Sequence, residues 1–518
     1  MSINTSRRGF LQGVGGITLL GAAGCCNTWC GRSDKIRLAV VGVMGKGYSD
    51  WTPMLKTGRV EIVAFCDADY AMRERAQLKL IKDGIDFDMY KVPFYTDYRK
   101  LLDDCYKLGV TAMTISTPDH VHAAVAVTAM KQGINVFVQK PLVRTLWELE
   151  YFGNTAKEKG VVVQMGNQGS SLDAMRRCAE VIQSGILGEV REVYVWTNRP
   201  VWPQGKAVAD WVKNHPNGDN VRSGLNWDAW LGTAAKRPFL DRYPDNADVY
   251  DPWQLGKNVY HTFTWRGFYD FGAGAFGDMA CHTMNLPFRG LELGGVSDAE
   301  CTMTESYNDI AYPLKSKVTL TYKARESKVR PGVILPEVKL HWFDGNVKPD
   351  AAIMPKWASA HKGQVPNTGC YIIGDKGAVL MQDDYGAKCA IALNEDKKFV
   401  DIFKHEAAKA VAKSIPSCAS TSEASDGKST VEMKGFALGH YIEFLDAIED
   451  KGNYYEQTHS RCFSDIEFCV PQMEGILVGC VAQRLPGKKL VWNSCKQQFA
   501  QSEANAFVKP YIRDGFGF

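Results

Sequence analysis

A chain of 518 residues is too long for one ordinary core, and hydrophobic, aromatic and charged fractions of 45%, 11% and 23% are those of a globular protein with two large lobes. The formal charge of +3 falls to +1 once Arg7 and Arg8 are set aside, leaving 59 bases against 58 acids. That balance excludes a basic footprint for nucleic acid or for an anionic membrane.

At the amino terminus, Ser6-Arg-Arg-Gly-Phe-Leu11 is a twin-arginine pattern. The apolar stretch Leu11 to Ala23 is shorter than the roughly 20 residues that span a bilayer, and suits a signal segment. Residues 1–24 therefore read as an export signal. Ala22-Ala-Gly-Cys25 suits a lipoprotein box with a lipid anchor at Cys25, and suits plain cleavage equally. Export of this type carries proteins already folded, which fits one that loads a cytoplasmic cofactor first. The expected location is the periplasm, free or membrane-anchored. Residues 25–34 read as a tether. The fifteen cysteines include no Cys-x-x-Cys pair, so no zinc site is expected.

Residues 35–165 read as a dinucleotide-binding domain. Ile36 to Val41 is a buried strand, followed by the turn Gly42-Val-Met44-Gly45-Lys46-Gly47 and a helix from Tyr48. A second strand, Val60 to Cys66, ends in Asp67. In such a unit the glycines permit a tight turn, the helix start receives the pyrophosphate, and the acid accepts the ribose hydroxyls. Met44 replaces the usual middle glycine. Asp67 favours NAD, since a carboxylate repels a 2′-phosphate, while Arg73 and Arg75 nearby keep NADP in play. A helix over Tyr98 to Leu108 and a strand over Ala112 to Ser116 follow. Thr117-Pro118-Asp119-His120-Val-His122 then leads into a helix from Val121 to Gln132, which Asp119 is placed to cap. His120 and His122 suit packing around this turn at least as well as catalysis. Ile134 to Val138 is the next strand and runs into Gln139-Lys140-Pro141. A helix over Trp147 to Lys159 and a strand over Val161 to Met165 lead to Gly166-Asn-Gln168. A parallel sheet of this kind binds ligands at the carboxyl ends of its strands, which aligns Thr117, Pro118, His120, Lys140 and Gln168 with the glycine turn and Asp67.

Residues 166–518 read as a second, α+β domain for substrate binding and oligomerisation. A helix over Ala174 to Ser184 precedes a strand over Val190 to Trp196. The loop Asn198 to Gly205 suits a carbohydrate-facing surface and a packed surface loop equally. Asp278 and His282 stand one helical turn apart and share a face, so together they can orient a hydroxyl and take its proton. Gly272, Gly274 and Gly277 leave room for a ligand to approach the backbone there. Strands from Cys301, Lys317, Lys339, Gly369 and Ala378 form an open, mainly antiparallel sheet. A serine-rich loop runs from Ser414 to Thr430, and helices around Gly439 to Ala447 and Ile466 to Ala482 close the domain.

Together the glycine turn with Asp67, Thr117-Pro-Asp-His120-Val-His122, Gln139-Lys140-Pro141-Leu142 and Gly274-Ala-Phe-Gly-Asp278-Met-Ala-Cys-His282 resemble the Gfo/Idh/MocA family of glucose-fructose oxidoreductase and inositol dehydrogenase. The carboxyl-terminal stretch, Leu490-Val-Trp492-Asn through Pro510-Tyr-Ile-Arg513, resembles its exported bacterial branch. The resemblance implies a Rossmann lobe, a second lobe whose open sheet often mediates homo-oligomers, and hydride exchange between bound NAD(P) and a carbohydrate carbon. It implies that Lys140 contacts the reacting hydroxyl, with Asp278 as substrate anchor and His282 as general acid/base. Gln139 stands where the family has Glu and Asn285 where many members have Asp. A neutral amide at 139 implies less negative potential beside Lys140. Three functions stay open: a sugar or polyol dehydrogenase, a glycosidase working by transient oxidation with tightly bound NAD, and a non-catalytic sugar-binding protein, which Met44, Gln139 and Asn285 would suit.

Overall fold

In the computed structural model, residues 35–252, 254, 257–418, 438–449 and 462–518 are described. The expected export signal, the tether and Cys25 lie outside the described residues, as does 419–430 of the serine-rich stretch.

Six parallel strands form the first sheet: β1 (Ile36–Val41), β2 (Val60–Cys66), β3 (Phe94–Tyr95), β4 (Ala112–Ile115), β5 (Asn135–Val138) and β6 (Val163–Met165). Their order is β3-β2-β1-β4-β5-β6. β1, β4 and β5 are almost wholly buried, as strands covered on both faces must be, and their runs are correspondingly apolar. Strand order reverses between β1 and β4, and the crevice beyond their carboxyl ends is the expected ligand position. The helix Asp119–Lys131 is buried along nearly its whole length, and its apolar residues show no one-sided pattern.

The helix Leu438–Glu449, expected to close the second domain, packs on the nucleotide lobe instead. The Phe137 ring of β5 lies 5.6 Å from Tyr441 and 5.7 Å from Phe444, and both join the core formed by Ile36, Leu38 and Val40. This helix covers the face of the first sheet that carries Ile36, Leu38 and Val40, a partner that its own periodicity cannot name. The nucleotide lobe is therefore not contiguous in sequence.

The second sheet begins with β7 (Val190–Trp196), β8 (Val296–Glu305) and β9 (Lys315–Tyr322); β10 (Arg325–Glu326) and β11 (Ile334–Leu335) form a separate ribbon. It continues with β12 (Val338–Phe343), β13 (Gly369–Gly374), β14 (Gly377–Met381), β15 (Cys389–Leu393), β16 (Val400–Asp401), β17 (Lys489–Asn493) and β18 (Gln498–Phe499). The order is β16-β15-β14-β13-β7-β12-β9-β8-β17-β18. Every pairing is antiparallel except that of β7 with β12.

The helix Gly274–Thr283 lies against this sheet, where Phe276 stacks on Trp342 with ring centroids 4.6 Å apart. Gly479 of the helix Ile466–Arg484 admits the Phe276 ring: a Cβ there would lie 2.1 Å from it. Residues 36–518 cluster as one unit, so the crevice of the first sheet faces elements of the second lobe.

Candidate active site

The glycine turn is built by contact. Gly42 has φ +86°, and a Cβ on it would lie 2.5 Å from the Ser116 carbonyl oxygen. A Cβ on Gly47 would lie 1.9 Å from the Gly42 carbonyl oxygen, so the first helix (Lys46–Lys56) starts directly under the turn. No side chain caps that helix, so its amino end and the positive end of its dipole stand where an anion can be received. A cavity of about 380 Å³ opens there; Gly42, Met44, Gly45, Lys46, Asp67, Thr117 and Pro118 all line it. From the second lobe, Trp230, His261 and Arg266 close it.

Each Asp67 carboxylate oxygen accepts one backbone N–H, from Val43 and Asp69, both at 3.1 Å. Lone pairs remain for a diol. Burial raises the Asp67 carboxyl above its usual range, and the two backbone donors oppose that rise. The uncapped helix start, the close glycine turn and the seated carboxylate fit the pyrophosphate and ribose of a dinucleotide. Arg75 lines the same cavity, whereas Arg73 is committed elsewhere, donating to the Met89 and Val92 carbonyls.

Among the residues grouped as cofactor ligands from sequence, Gly47, His120, Lys140 and Gln168 do not line this cavity. Gly47 serves the turn from below. Gln168 is buried beyond β6, and both its side-chain polar atoms lack hydrogen-bond partners. The His120 ring nitrogens lie 3.3 Å from the Phe271 carbonyl oxygen and 3.0 Å from that of Trp230. Burial holds this imidazole down to about 3, with the Arg144 charge acting in the same direction. His122 sits between the Pro141 and Thr117 carbonyl oxygens at 2.8 and 2.9 Å, tying together the loops after β4 and β5. Asp119 does not cap its own helix; its carboxylate accepts the Ala273 N–H at 3.1 Å. The segment 117–122 is thus a bracket holding Phe271 and Ala273, the entry to the helix Gly274–Thr283.

The glycines of that entry serve packing as well. A Cβ on Gly272 would lie 2.6 Å from Arg266 backbone, and one on Gly274 would lie 2.5 Å from the Tyr312 ring. They bring chain to chain, not ligand to chain.

The bracket aims the helix at Lys140. The lysine ammonium donates to Asp278 Oδ1 at 2.8 Å and to the Asp278 carbonyl at 2.9 Å. Arg266 Nε, from the cavity wall, donates to the same Oδ1 at 3.2 Å. Burial alone would raise the Asp278 carboxyl, but the Lys140 and Arg266 charges outweigh it and hold the group well below the usual carboxylate range. His282 is 5% exposed, and its Nδ1 is buried with no hydrogen-bond partner. Burial first, then the Lys140 charge, keep the imidazole well below its ordinary value, with Asp278 opposing. Tyr385 meets the imidazole edge-on at 4.8 Å. Sequence reasoning had named Lys140, Asp278 and His282, and the fold brings them together.

Gln139 is anchored on a buried carboxylate. Its Nε2 donates to both oxygens of Asp50, at 3.1 and 3.0 Å. Asp50 is fully buried and also accepts from Lys46 Nζ at 2.6 Å, Ser116 Oγ at 2.8 Å and Tyr441 Oη at 3.0 Å. The amide at 139 thus holds a carboxylate supplied by another element, which Lys46 also pairs. Burial lowers the Lys46 ammonium from its usual value, with Asp50 opposing. Asn285, the other departure, donates to Ser170 Oγ at 2.8 Å and plays no part in the Lys140–Asp278 contact.

The loop Asn198 to Gly205 resolves as packed: Trp202 is buried and donates to Gln204, which donates to the Pro313 carbonyl. Arg199, at its start, pairs with Asp384 at 3.2 Å and contributes to the field at His282. Arg266, Asp50, Tyr441 and Arg199 were missed from sequence. Arg266 alone carried a signal, as a basic residue in the aromatic run Tyr250 to Phe271.

Residues 36–167 match the family model described as oxidoreductase family, NAD-binding Rossmann fold, known as Gfo/Idh/MocA. The chain is 27% identical over 164 residues to glycosyl hydrolase family 109 protein 2 of Akkermansia muciniphila, covering 31% of this chain and 33% of that protein. It is 28% identical over 123 residues to levoglucosan dehydrogenase of Pseudarthrobacter phenanthrenivorans, covering 22% of this chain and 31% of that one. The chain thus spans about a third of the length of these curated relatives. In fold it is similar to an inositol dehydrogenase homolog complexed with NAD+ from Azotobacter vinelandii, with TM-score 0.55 at 16% identity over 89% of this chain and 98% of that one. The WlbA dehydrogenase of Chromobacterium violaceum, in complex with NADH and UDP-GlcNAcA, gives TM-score 0.52 at 14% identity over 89% and 97%. Residues 36–167, the lobe that holds the glycine turn and Asp67, are thus similar to the NAD-binding Rossmann domain of the Gfo/Idh/MocA oxidoreductases.

Proposed function

We propose that the protein is an exported, NAD-dependent oxidoreductase acting on a hydroxyl of a sugar, polyol or glycoside. The observation that carries this reading is the contact of Lys140 with Asp278 beside a buried imidazole whose Nδ1 has no partner, next to the dinucleotide cavity. When bound, the nicotinamide supplies the hydride acceptor. The residues of the chain handle the proton. Two of the three Lys140 ammonium protons are engaged by Asp278, which leaves one to bind the reacting hydroxyl oxygen. His282 is neutral at ordinary pH and is the base for the hydroxyl proton. Asp278 is substrate anchor only indirectly, through the lysine it fixes. Bracket and helix hold these groups rigid, so little reorganisation is left to the reacting state.

A second reading has the same residues cleave a glycosidic bond by transient oxidation, elimination and re-reduction. It is favoured by the glycosyl hydrolase family 109 relatives, matched at 25–27% identity over about a third of their length. A panel of chromogenic glycosides, free sugars and polyols, read at the reduced-nicotinamide band, separates the two. Net reduced cofactor with a free sugar or polyol supports the dehydrogenase. Release of aglycone without net reduced cofactor supports the glycosidase. Denaturing the purified protein and finding no dinucleotide, together with no binding of added NAD, contradicts both.

A further inference from the structure

Away from the Lys140–Asp278 contact, a second cavity of about 210 Å³ opens behind the segment that carries the lysine. Arg144, four residues beyond Lys140, lines it together with Tyr269, Tyr312, Arg484 and Lys509. Its polar groups are almost all donors. Arg144 Nη1 donates to the Tyr269 carbonyl at 2.7 Å, but its Nε is buried with no partner. Tyr269 is 4% exposed and its hydroxyl likewise has no partner. The Arg484 guanidinium lies 3.6 Å over the Tyr269 ring and 4.4 Å over that of Phe507, and Lys509 Nζ lies 4.7 Å over Trp147. Among the described residues, none of the salt bridges involves Arg144, Arg484 or Lys509. The one acid on the lining, Asp270, is already paired with Arg237.

Aromatic stacking accounts for where the two guanidinium and ammonium stems lie, and it needs no ligand. It supplies no acceptor for the Tyr269 phenol or the Arg144 Nε–H, which belong to residues lining the same cavity as the Arg484 and Lys509 charges. Three cations, one spent acid and unpaired donors around one small cavity call for an acceptor-only ligand with spread negative charge. We propose that this cavity is a second binding site, for a small oxyanion-bearing molecule that presents phosphate or carboxylate oxygens to Arg144, Arg484 and Tyr269. The dinucleotide is served by the other cavity and the reacting hydroxyl by the Lys140–Asp278 contact, so this site stands whether or not the proposed reaction is right.

The test is isothermal titration of the full chain, saturated with NAD, with inorganic phosphate and with citrate. Sodium chloride at matched ionic strength is the control. Saturable binding of one probe per chain is expected, weakened roughly tenfold or more by Arg484→Gln, as loss of a charge-assisted bond requires. Tyr269→Phe should weaken binding several-fold while leaving unfolding in the absence of anion unchanged or later, because the lost hydroxyl has no partner. A preference for phosphate over citrate, or the reverse, identifies the ligand class. The proposal is overturned if neither probe saturates below about 10 mM beyond the chloride control, or if binding is indifferent to both substitutions.

Discussion

In the proposed reaction the hydroxyl proton has two candidate handlers, His282 and Lys140, and their surroundings separate them. Lys140 gives two protons to Asp278, whereas His282 keeps a ring nitrogen without a partner. Because burial and the lysine charge keep the imidazole well below its ordinary value, lowering the pH through the ordinary histidine range should not disable it. The acid limb of kcat/KM is therefore expected below the ordinary histidine range, and a limb at the ordinary value of about 6.5 would contradict the assignment. Gln139 gives a second residue-level prediction. Gln139→Glu places a second carboxylate against buried Asp50 and should cost roughly 1–3 kcal/mol in urea unfolding at neutral pH. Moving the amide across, in Gln139→Glu with Asp50→Asn, should recover a large part of that loss; no recovery would mean that the two side chains do not interact as described. Lys140, Asp278 and His282 were legible from sequence because each sits in a short motif. Asp50, Tyr441 and Arg199 were not, since their partners come from remote segments and nothing local marks them.

At the scale of elements, the bracket of residues 117–122 explains why a histidine-rich turn sits opposite the helix Gly274–Thr283: it fixes the entry of that helix, and its imidazoles touch backbone carbonyls. The sequence alone left packing and catalysis open for His120, because both use the same residue type at a strand end. Element bounds were recovered well where periodicity and caps agree, as for the helix Tyr98–Leu108, which runs from an Asp97 cap to a left-handed Gly109. The docking of the helix Leu438–Glu449 onto the first sheet was not recoverable, since an amphipathic pattern states that a face is buried and not against what. The glycine turn offers a controlled comparison. Gly47→Ala forces a methyl into the Gly42 carbonyl and should weaken NAD binding by about tenfold or more. Gly58→Ala, at φ +72° with open space around the Cβ position, should cost roughly 1 kcal/mol of stability and leave NAD affinity unchanged. Equal NAD affinity in both variants, measured by titration, would remove the turn from the binding site.

For the whole molecule, three histidines buried between elements make folding depend on pH. Burial holds His120 and His440 down to about 3 and His122 to about 4, so the native state leaves them neutral where the unfolded chain protonates them. Stability is complete above the unfolded value of about 6.5 and is lost as pH falls toward 4, each group contributing roughly 1.4 kcal/mol per pH unit once the unfolded chain is fully protonated there. The urea midpoint should drop clearly between about pH 7.5 and pH 5, above the range where ordinary carboxylates titrate, and a constant midpoint would mean that these rings are not buried neutral. Beyond stability, the Lys140–Asp278 contact stands beside the nucleotide cavity through Arg266, which lines that cavity and donates to Asp278, and this adjacency is what the functional reading rests on. The most direct measurement is single-turnover reduction of NAD bound to the protein, driven by a sugar or glycoside it oxidises, compared between the unmodified chain and His282→Ala, with NAD affinity determined for both. The expected result is equal NAD affinity with reduction slowed by roughly 10² to 10⁴ in the variant. Reduction at an unchanged rate would contradict the assignment of His282 as the base.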